Sequence, residues 1–196
     1  MPTNRRAVFL DKDGTLIDDV PYNVDPRLIR LAQGAAEGLP ALHAAGYRLI
    51  VVSNQSGVAR GYFAETALGA VEERLRHLLA EVGVPLDGFY YCPHHPEGTE
   101  PDYSRACDCR KPEPGLILRA ARDHGIDLTQ SWLIGDILDD VEAGRRAGCE
   151  TILIDDGHET EWSLSPQRLP HHVAADLAAA ARIVSALGRN QTPGPS

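Results

Sequence analysis

Ala7-Val8-Phe9-Leu10-Asp11-Lys12-Asp13-Gly14-Thr15 decides the fold. Four apolar residues run without alternation into an acidic, glycine-containing turn. A strand buried on both faces of a parallel sheet delivers polar residues at its carboxyl end in this way. The pattern returns downstream. Tyr47-Arg48-Leu49-Ile50-Val51-Val52 is rich in β-branched residues and ends in Ser53-Asn54-Gln55-Ser56-Gly57. Gly88-Phe89-Tyr90-Tyr91 is a third short strand, Trp132-Leu133-Ile134 leads to Gly135-Asp136, and Thr151-Ile152-Leu153-Ile154 is a fifth.

Helical stretches separate these strands. One lies around Ala35 to Ala45. A longer one, about Ala64 to Val82, places Leu68, Val71, Leu75, Leu78 and Leu79 at the three-and-four spacing of a single face. Pro114 opens a third, since its missing N–H would be unpaired in a first helical turn. A fourth runs from about Asp139 to Ala147 and stops near Gly148, and Asp176 to Leu187 is an alanine-rich closing helix. Alternating strand and helix predict an α/β, doubly wound parallel sheet whose ligand site lies beyond the strand carboxyl ends.

The 196 residues fit one domain, expected over residues 1–187, followed by a disordered polar tail over 188–196. A formal charge of −9 with scattered Lys and Arg excludes a nucleic-acid track, so small molecules are the expected partners. No run approaches the roughly 20 apolar residues that span a bilayer. Met1 to Arg6 passes directly into the first strand instead of a signal-type apolar region, which makes the cytoplasm the simplest location. No exposed apolar helix is evident, so a monomer is expected. The acidic stretch Asp155-Asp156-Gly157-His158-Glu159-Thr160-Glu161-Trp162 reads as a solvated loop without an assigned role.

Three strands end in residues that handle phosphate or magnesium: Asp11 and Asp13, then Ser53, then Asp136. Carboxylates that converge at one sheet edge repel each other unless a hard cation sits between them. Mg²⁺ is the usual answer, because it takes a few carboxylate oxygens and keeps several waters.

Cys92-Pro93-His94 and Cys107-Asp108-Cys109 supply three thiols and an imidazole, a set that suits closed, tetrahedral, structural zinc; His95 is an alternative to His94. The zinc loop, residues 92–109, has few apolar residues of its own, so the metal supplies its order. Cys149 stands apart and reads as a small buried residue.

Asp11-Lys12-Asp13-Gly14-Thr15 matches the first motif of the haloacid dehalogenase superfamily of phosphatases, which have a Rossmann-like fold. Ser53-Asn54 resembles the second motif, Lys111-Pro112 the third, and Gly135-Asp136 with Asp139 and Asp140 the fourth. The resemblance implies that Asp11 is a covalent nucleophile and Asp13 the acid and base. It implies Mg²⁺ held by Asp11, Asp136 and the backbone carbonyl of Asp13, and phosphate oxygens held by Lys111 and Ser53.

Three segments narrow the resemblance: residues 51–61, 90–96 and 107–112. They are similar to the subfamily of D-glycero-D-manno-heptose 1,7-bisphosphate phosphatases and the related histidinol-phosphate phosphatase domains, over about residues 7 to 155. That subfamily's pattern favours His94 as the zinc ligand. It implies substrate contacts from Asn54, Gln55, Ser56 and Arg110, the last able to bind a second phosphate or a sugar hydroxyl. Neither Thr15 to Ser53 nor Gly57 to Lys111 has room for a large cap domain, so a capless, open site is expected, with selectivity from short loops such as Asp18 to Asp25. One departure stands out: heptose enzymes often carry a lysine after the fourth-motif aspartate, and this chain has Ile137. The expected reaction is removal of the 7-phosphate of the heptose bisphosphate. Histidinol phosphate is the alternative substrate, and a non-catalytic phosphosugar-binding protein the alternative class.

Overall fold

The computed structural model describes residues 5–160 and 162–188. Six parallel strands form one sheet: β1 (Ala7–Leu10), β2 (Arg48–Asn54), β3 (Gly88–Cys92), β4 (Trp132–Gly135), β5 (Glu150–Ile154) and β6 (His172–Ala174). Their order is β3-β2-β1-β4-β5-β6. The chain winds outward from β1 in one direction and from β4 in the other, so the crevice where the winding reverses opens between these two strands. Asp11 N donates to Ile134 O at 3.0 Å, carrying the β1–β4 pairing to the lip of that crevice.

The apolar runs alternate between two covered faces. Val8, Leu10, Leu49, Val51, Ile134 and Ile152 face α1 (Ala35–Ala44), α2 (Leu68–Glu81) and α5 (Leu177–Gly188), meeting Leu39, Leu75 and Val184. Ala7, Phe9, Ile50, Val52 and Leu133 face α3 (Gly115–His124) and α4 (Leu138–Ala147), meeting Leu116, Ile117, Ala120 and Ala143. Burial on both faces is why β1 and β2 read as unbroken apolar runs. α1 and α5 approach closely because Gly38 has no Cβ; one there would run into the backbone of Leu177 and Ala178.

The structure differs from the sequence reading in four places. β6 was not anticipated: it is three residues long and leaves Val173 54% exposed, so it carries no apolar run, as suits a short edge strand. The second helix starts at Leu68, not Ala64, because residues 65–67 form a separate 3₁₀ turn. There Glu65 accepts hydrogen bonds from Tyr91 (3.1 Å) and Tyr103 (2.7 Å). Pro114 precedes the helix that it was expected to begin. Gly188, placed in the tail by the sequence reading, closes α5; the rest of the expected disordered tail, 189–196, lies outside the described residues. Among the described residues, α1 with its flanking loops fills the interval between β1 and β2, and the region of Cys92 to Cys109 fills that between β3 and α3, leaving the crevice without a cap.

Candidate active site

β1 ends in a tight turn in which Gly14 N donates to Ile17 O at 2.9 Å and Leu16 N to Lys12 O at 3.1 Å. Gly14 has φ +81°, and a Cβ on it would collide with Asp136 Oδ2 and His158 Nδ1, so only glycine fits the turn and the close approach together. The turn brings Asp11 into the crevice and sets Asp13 beside β2.

Lys111 organises the site. Its Nζ contacts Asp11 Oδ1 at 2.5 Å, Val52 O at 3.0 Å and Asp140 Oδ1 at 2.6 Å, so one ammonium joins the ends of β1 and β2 to the start of α4. The side chain is 2% exposed. Burial works against its charge, yet the Asp11 and Asp140 carboxylates together hold its pKa above the ordinary lysine value. Asn54 clamps the backbone of the same residue: its Oδ1 accepts from Lys111 N and its Nδ2 donates to Lys111 O. Both polar atoms of the Asn54 side chain are therefore engaged by the Lys111 backbone.

Asp13 accepts from Lys12 Nζ at 2.6 Å and from Gln55 Nε2 at 3.3 Å. Burial, reinforced by the Asp11 charge and opposed by Lys12, raises its pKa above the usual carboxylate value. Gln55 Nε2 also donates to Ser53 Oγ at 2.8 Å, which ties the end of β2 to Asp13. Ser56 is half-buried in the turn that follows, its carbonyl accepting from Arg60 N at 3.0 Å. Arg110 lies near His95 and Asp139, and its Nη1 is buried with no hydrogen-bond partner among the described residues.

Asp11, Asp136 and Asp140 each turn one carboxylate oxygen to a common point, all within 4.8 Å of one another. Three buried carboxylates face the single ammonium of Lys111. Burial, then the Asp11 and Asp140 charges, push the Asp136 carboxyl up to about 9; burial, against the pull of Lys111, pushes Asp140 up to about 6. This excess of buried negative charge fits a hard divalent cation. The Asp13 side chain stands outside the group, in keeping with a backbone contribution.

At and after the end of β3, Cys92, His94, Cys107 and Cys109 form a second compact group. The Sγ atoms are 3.5 Å (Cys92–Cys107), 3.1 Å (Cys92–Cys109) and 3.4 Å (Cys107–Cys109) apart, and His94 Nδ1 is 3.3 Å from Cys109 Sγ and 3.7 Å from Cys92 Sγ. Ligand atoms about 2.3 Å from one centre stand about 3.7 Å apart at tetrahedral angles, so the group fits zinc after slight expansion. His95 points elsewhere, with Nε2 3.2 Å from Arg60 Nη2. Cys149 is 3% exposed, and burial pushes its thiol up to about 12, as an inert packing residue.

Five residues near the carboxylates had no role in the sequence reading. Lys12 is buried against Asp13. Thr15 Oγ1 donates to Asp136 Oδ1 at 3.3 Å. Asp140 is fully buried, and a Cβ on Gly135 would strike it. These three sit inside quoted motifs, so their proximity was legible although their contacts were not. His158 and Glu159 had no such signal. His158 Nδ1 lies 2.8 Å from Asp136 Oδ2, and Glu159 Oε2 accepts from Leu138 N at 2.6 Å, so the loop, exposed at residues 155–158 and 160 as expected, also touches the site.

Residues 108–180 match the family described as HAD-hyrolase-like. The chain is similar to the D-glycero-beta-D-manno-heptose-1,7-bisphosphate 7-phosphatase of Photorhabdus laumondii, 47% identical over 141 residues that cover 72% of this chain and 75% of that protein. The enzyme of the same name from Pasteurella multocida is 44% identical over 154 residues, 78% of this chain and 83% of the relative. Among solved structures, the D,D-heptose 1.7-bisphosphate phosphatase from B. bronchiseptica, complexed with magnesium and phosphate, matches with a TM-score of 0.77 at 31% identity, covering 91% of this chain and 97% of that one. At this identity and coverage, on a sheet and crevice of the kind described, the chain belongs to the HAD-like phosphatases of the D-glycero-beta-D-manno-heptose-1,7-bisphosphate 7-phosphatase family.

Proposed function

We propose that the chain removes the 7-phosphate of D-glycero-β-D-manno-heptose 1,7-bisphosphate through a phosphorylated Asp11. The observation that carries this is the pairing, in one crevice, of Asp11 with a raised-pKa Asp13 two residues away, Asp11 being held by a buried Lys111.

In the first step an Asp11 carboxylate oxygen forms a bond to phosphorus while the bond from phosphorus to the sugar oxygen breaks, and Asp13 gives its proton to that departing oxygen. In the second, water attacks the phosphorus of the aspartyl-phosphate, Asp13 takes a proton from the water, and Asp11 leaves as a carboxylate with inorganic phosphate as product. Lys111 and the Ser53 hydroxyl bind the equatorial phosphate oxygens, where transition-state charge lies. Asp11, Asp136 and the Asp13 backbone carbonyl would hold Mg²⁺, with Asp140 behind them on Lys111. When bound, that ion offsets repulsion between the anionic nucleophile and the phosphate.

The second phosphate falls to Arg110, whose Nη1 is a buried donor without a partner among the described residues. Leaving such a donor unmatched costs about 1–3 kcal/mol, which favours an anionic substrate group there over the cationic amine of histidinol phosphate. Gln55 and Ser56 line the approach from the second loop. Zinc on Cys92, His94, Cys107 and Cys109 is structural in this reading, fixing the chain that continues into Arg110 and Lys111. The protein acts as a cytoplasmic monomer on a small phosphorylated sugar, with reduced thiols free to hold zinc.

The test is phosphate release with Mg²⁺ from the heptose 1,7-bisphosphate, both heptose monophosphates, fructose 1,6-bisphosphate and histidinol phosphate, with Asp11→Asn as blank. Selective release from the heptose bisphosphate supports the reading. Preference for histidinol phosphate replaces the substrate, and release no greater than the blank on every compound leaves a phosphosugar-binding protein.

A further inference from the structure

Polar contacts tie the segment after β5 to the crevice and to itself. His158 Nδ1 lies 2.8 Å from Asp136 Oδ2 and 3.1 Å from Asp156 Oδ1, and Glu159 Oε2 accepts from Leu138 N at 2.6 Å, at the start of α4. An acidic side chain is well placed there, because the first N–H groups of a helix have no partner within it. Glu159 thus docks the segment on the helix that follows Asp136, and His158 is delivered to the far oxygen of that aspartate. Gly14 leaves the space for this: a Cβ at Gly14 would meet both Asp136 Oδ2 and His158 Nδ1.

We infer that His158 is a positioning residue for the cation site: it holds Asp136 Oδ2 and thereby sets the orientation in which the carboxylate offers its other oxygen to the metal. The inference rests on the proposed divalent-cation role of Asp136. A carboxylate can turn about its Cβ–Cγ bond and can offer one oxygen or two. Mg²⁺ demands a near-ideal octahedron, so a ligand already fixed to present a single oxygen loses less freedom on binding. Thr15 Oγ1, 3.3 Å from Asp136 Oδ1, and His158 on Oδ2 grip the group from its two sides. Outer contacts of this kind typically change metal affinity about 10- to 100-fold when removed. His158 is 36% exposed, so replacing it leaves the core intact.

The test is Mn²⁺ affinity, read from the electron paramagnetic resonance signal of the free ion, for the wild-type chain, His158→Ala and His158→Asn. Asn can place its side-chain amide N–H near the position of Nδ1. A dissociation constant about tenfold weaker in His158→Ala and restored to within about threefold in His158→Asn is expected. The metal concentration needed for half-maximal phosphate release should shift in parallel, while KM at saturating metal stays unchanged. Equal affinity in His158→Ala and wild type overturns the inference. A loss that Asn does not restore also overturns it, by assigning the effect to loop packing. Wild-type protein that takes up no Mn²⁺ would instead overturn the cation reading itself, so the two failures are distinct.

Discussion

Asn54 holds the backbone of Lys111 from both sides: Lys111 N donates to Asn54 Oδ1 at 2.9 Å and Asn54 Nδ2 donates to Lys111 O at 3.0 Å. Asn54 ends β2, and Lys111 lies in the loop after the Cys/His cluster. The amide therefore fixes the root of the side chain whose ammonium reaches Asp11. Asn54→Ala should lower kcat roughly 100-fold, the scale associated with about 1 Å of misplacement, with a smaller change in KM. Asn54→Asp keeps the acceptor but sets a carboxylate against Lys111 O, and should recover little. Steady-state kinetics on the heptose bisphosphate separates these outcomes; wild-type kcat in Asn54→Ala would remove the clamp from the mechanism.

The raised pKa of Asp13 makes a second expectation about leaving groups. A protonated Asp13 is needed only where the departing oxygen is a poor leaving group. Asp13→Asn should therefore lose roughly 100- to 10,000-fold on a sugar phosphate, the usual range for general acid catalysis, and much less in the first step with p-nitrophenyl phosphate. Rapid-quench measurement of Asp11 phosphorylation reads that step directly. With the wild type, its rate on the sugar phosphate should fall as pH rises through the Asp13 pKa, which burial and the Asp11 charge hold above the usual carboxylate range. Equal losses on both substrates would show that Asp13 is not the acid.

Metal removal gives the third. In metal-free protein the Asp136 pKa is raised from 3.8 to about 9 and that of Asp140 from 3.8 to about 6, burial being the first cause of both. Between the unfolded and folded values the native state holds the extra proton, so stability declines with rising pH across this window. Metal-free Tm should fall from pH 5 to pH 8, and Mg²⁺ should restore it by more at pH 8. A contribution on the order of 2 kcal/mol corresponds to about 4–8 °C in a chain of this size. Asp136→Asn should flatten the metal-free profile and remove most of the Mg²⁺ response. Differential scanning calorimetry with chelator or Mg²⁺ measures both, and a flat wild-type profile would contradict the electrostatic account.

What the sequence made legible has a common physical basis. Asp11, Ser53 and Asp136 are readable because each follows an apolar run whose end must lie at one sheet edge. Cys92, His94, Cys107 and Cys109 are readable because soft ligands are scarce elsewhere in the chain. His158 escaped because it reaches Asp136 only when the chain after β5 folds back, and that stretch has neither an apolar period nor a glycine pattern that fixes its path. The contact of Asn54 with Lys111 was not readable: motif position places a side chain near a strand end, whereas its hydrogen bonds depend on a residue 57 positions away. β6 went unseen for the reason that makes it a tolerable edge, its brevity and its exposed Val173.

The Cys/His group carries the last expectation. Cys109 is followed directly by Arg110 and Lys111, so an error in the path of the loop is passed to the Lys111 ammonium within two residues. Hydrogen bonding from Cys92, with further contacts from His94 and Cys107, pulls the Cys109 thiol down to about 5, so the group offers a thiolate for zinc near neutral pH. The purified chain should contain one zinc by elemental analysis. Cys109→Ser should lose it, together with at least tenfold of kcat/KM, whereas Cys149→Ser, a change in the buried packing thiol, should keep the metal. Hydrogen exchange should then show residues 92–111 opening in Cys109→Ser while β1 and β4 stay protected, because their bonds lie in the sheet interior. Full activity in a zinc-free Cys109→Ser protein would detach the cluster from the alignment of Lys111.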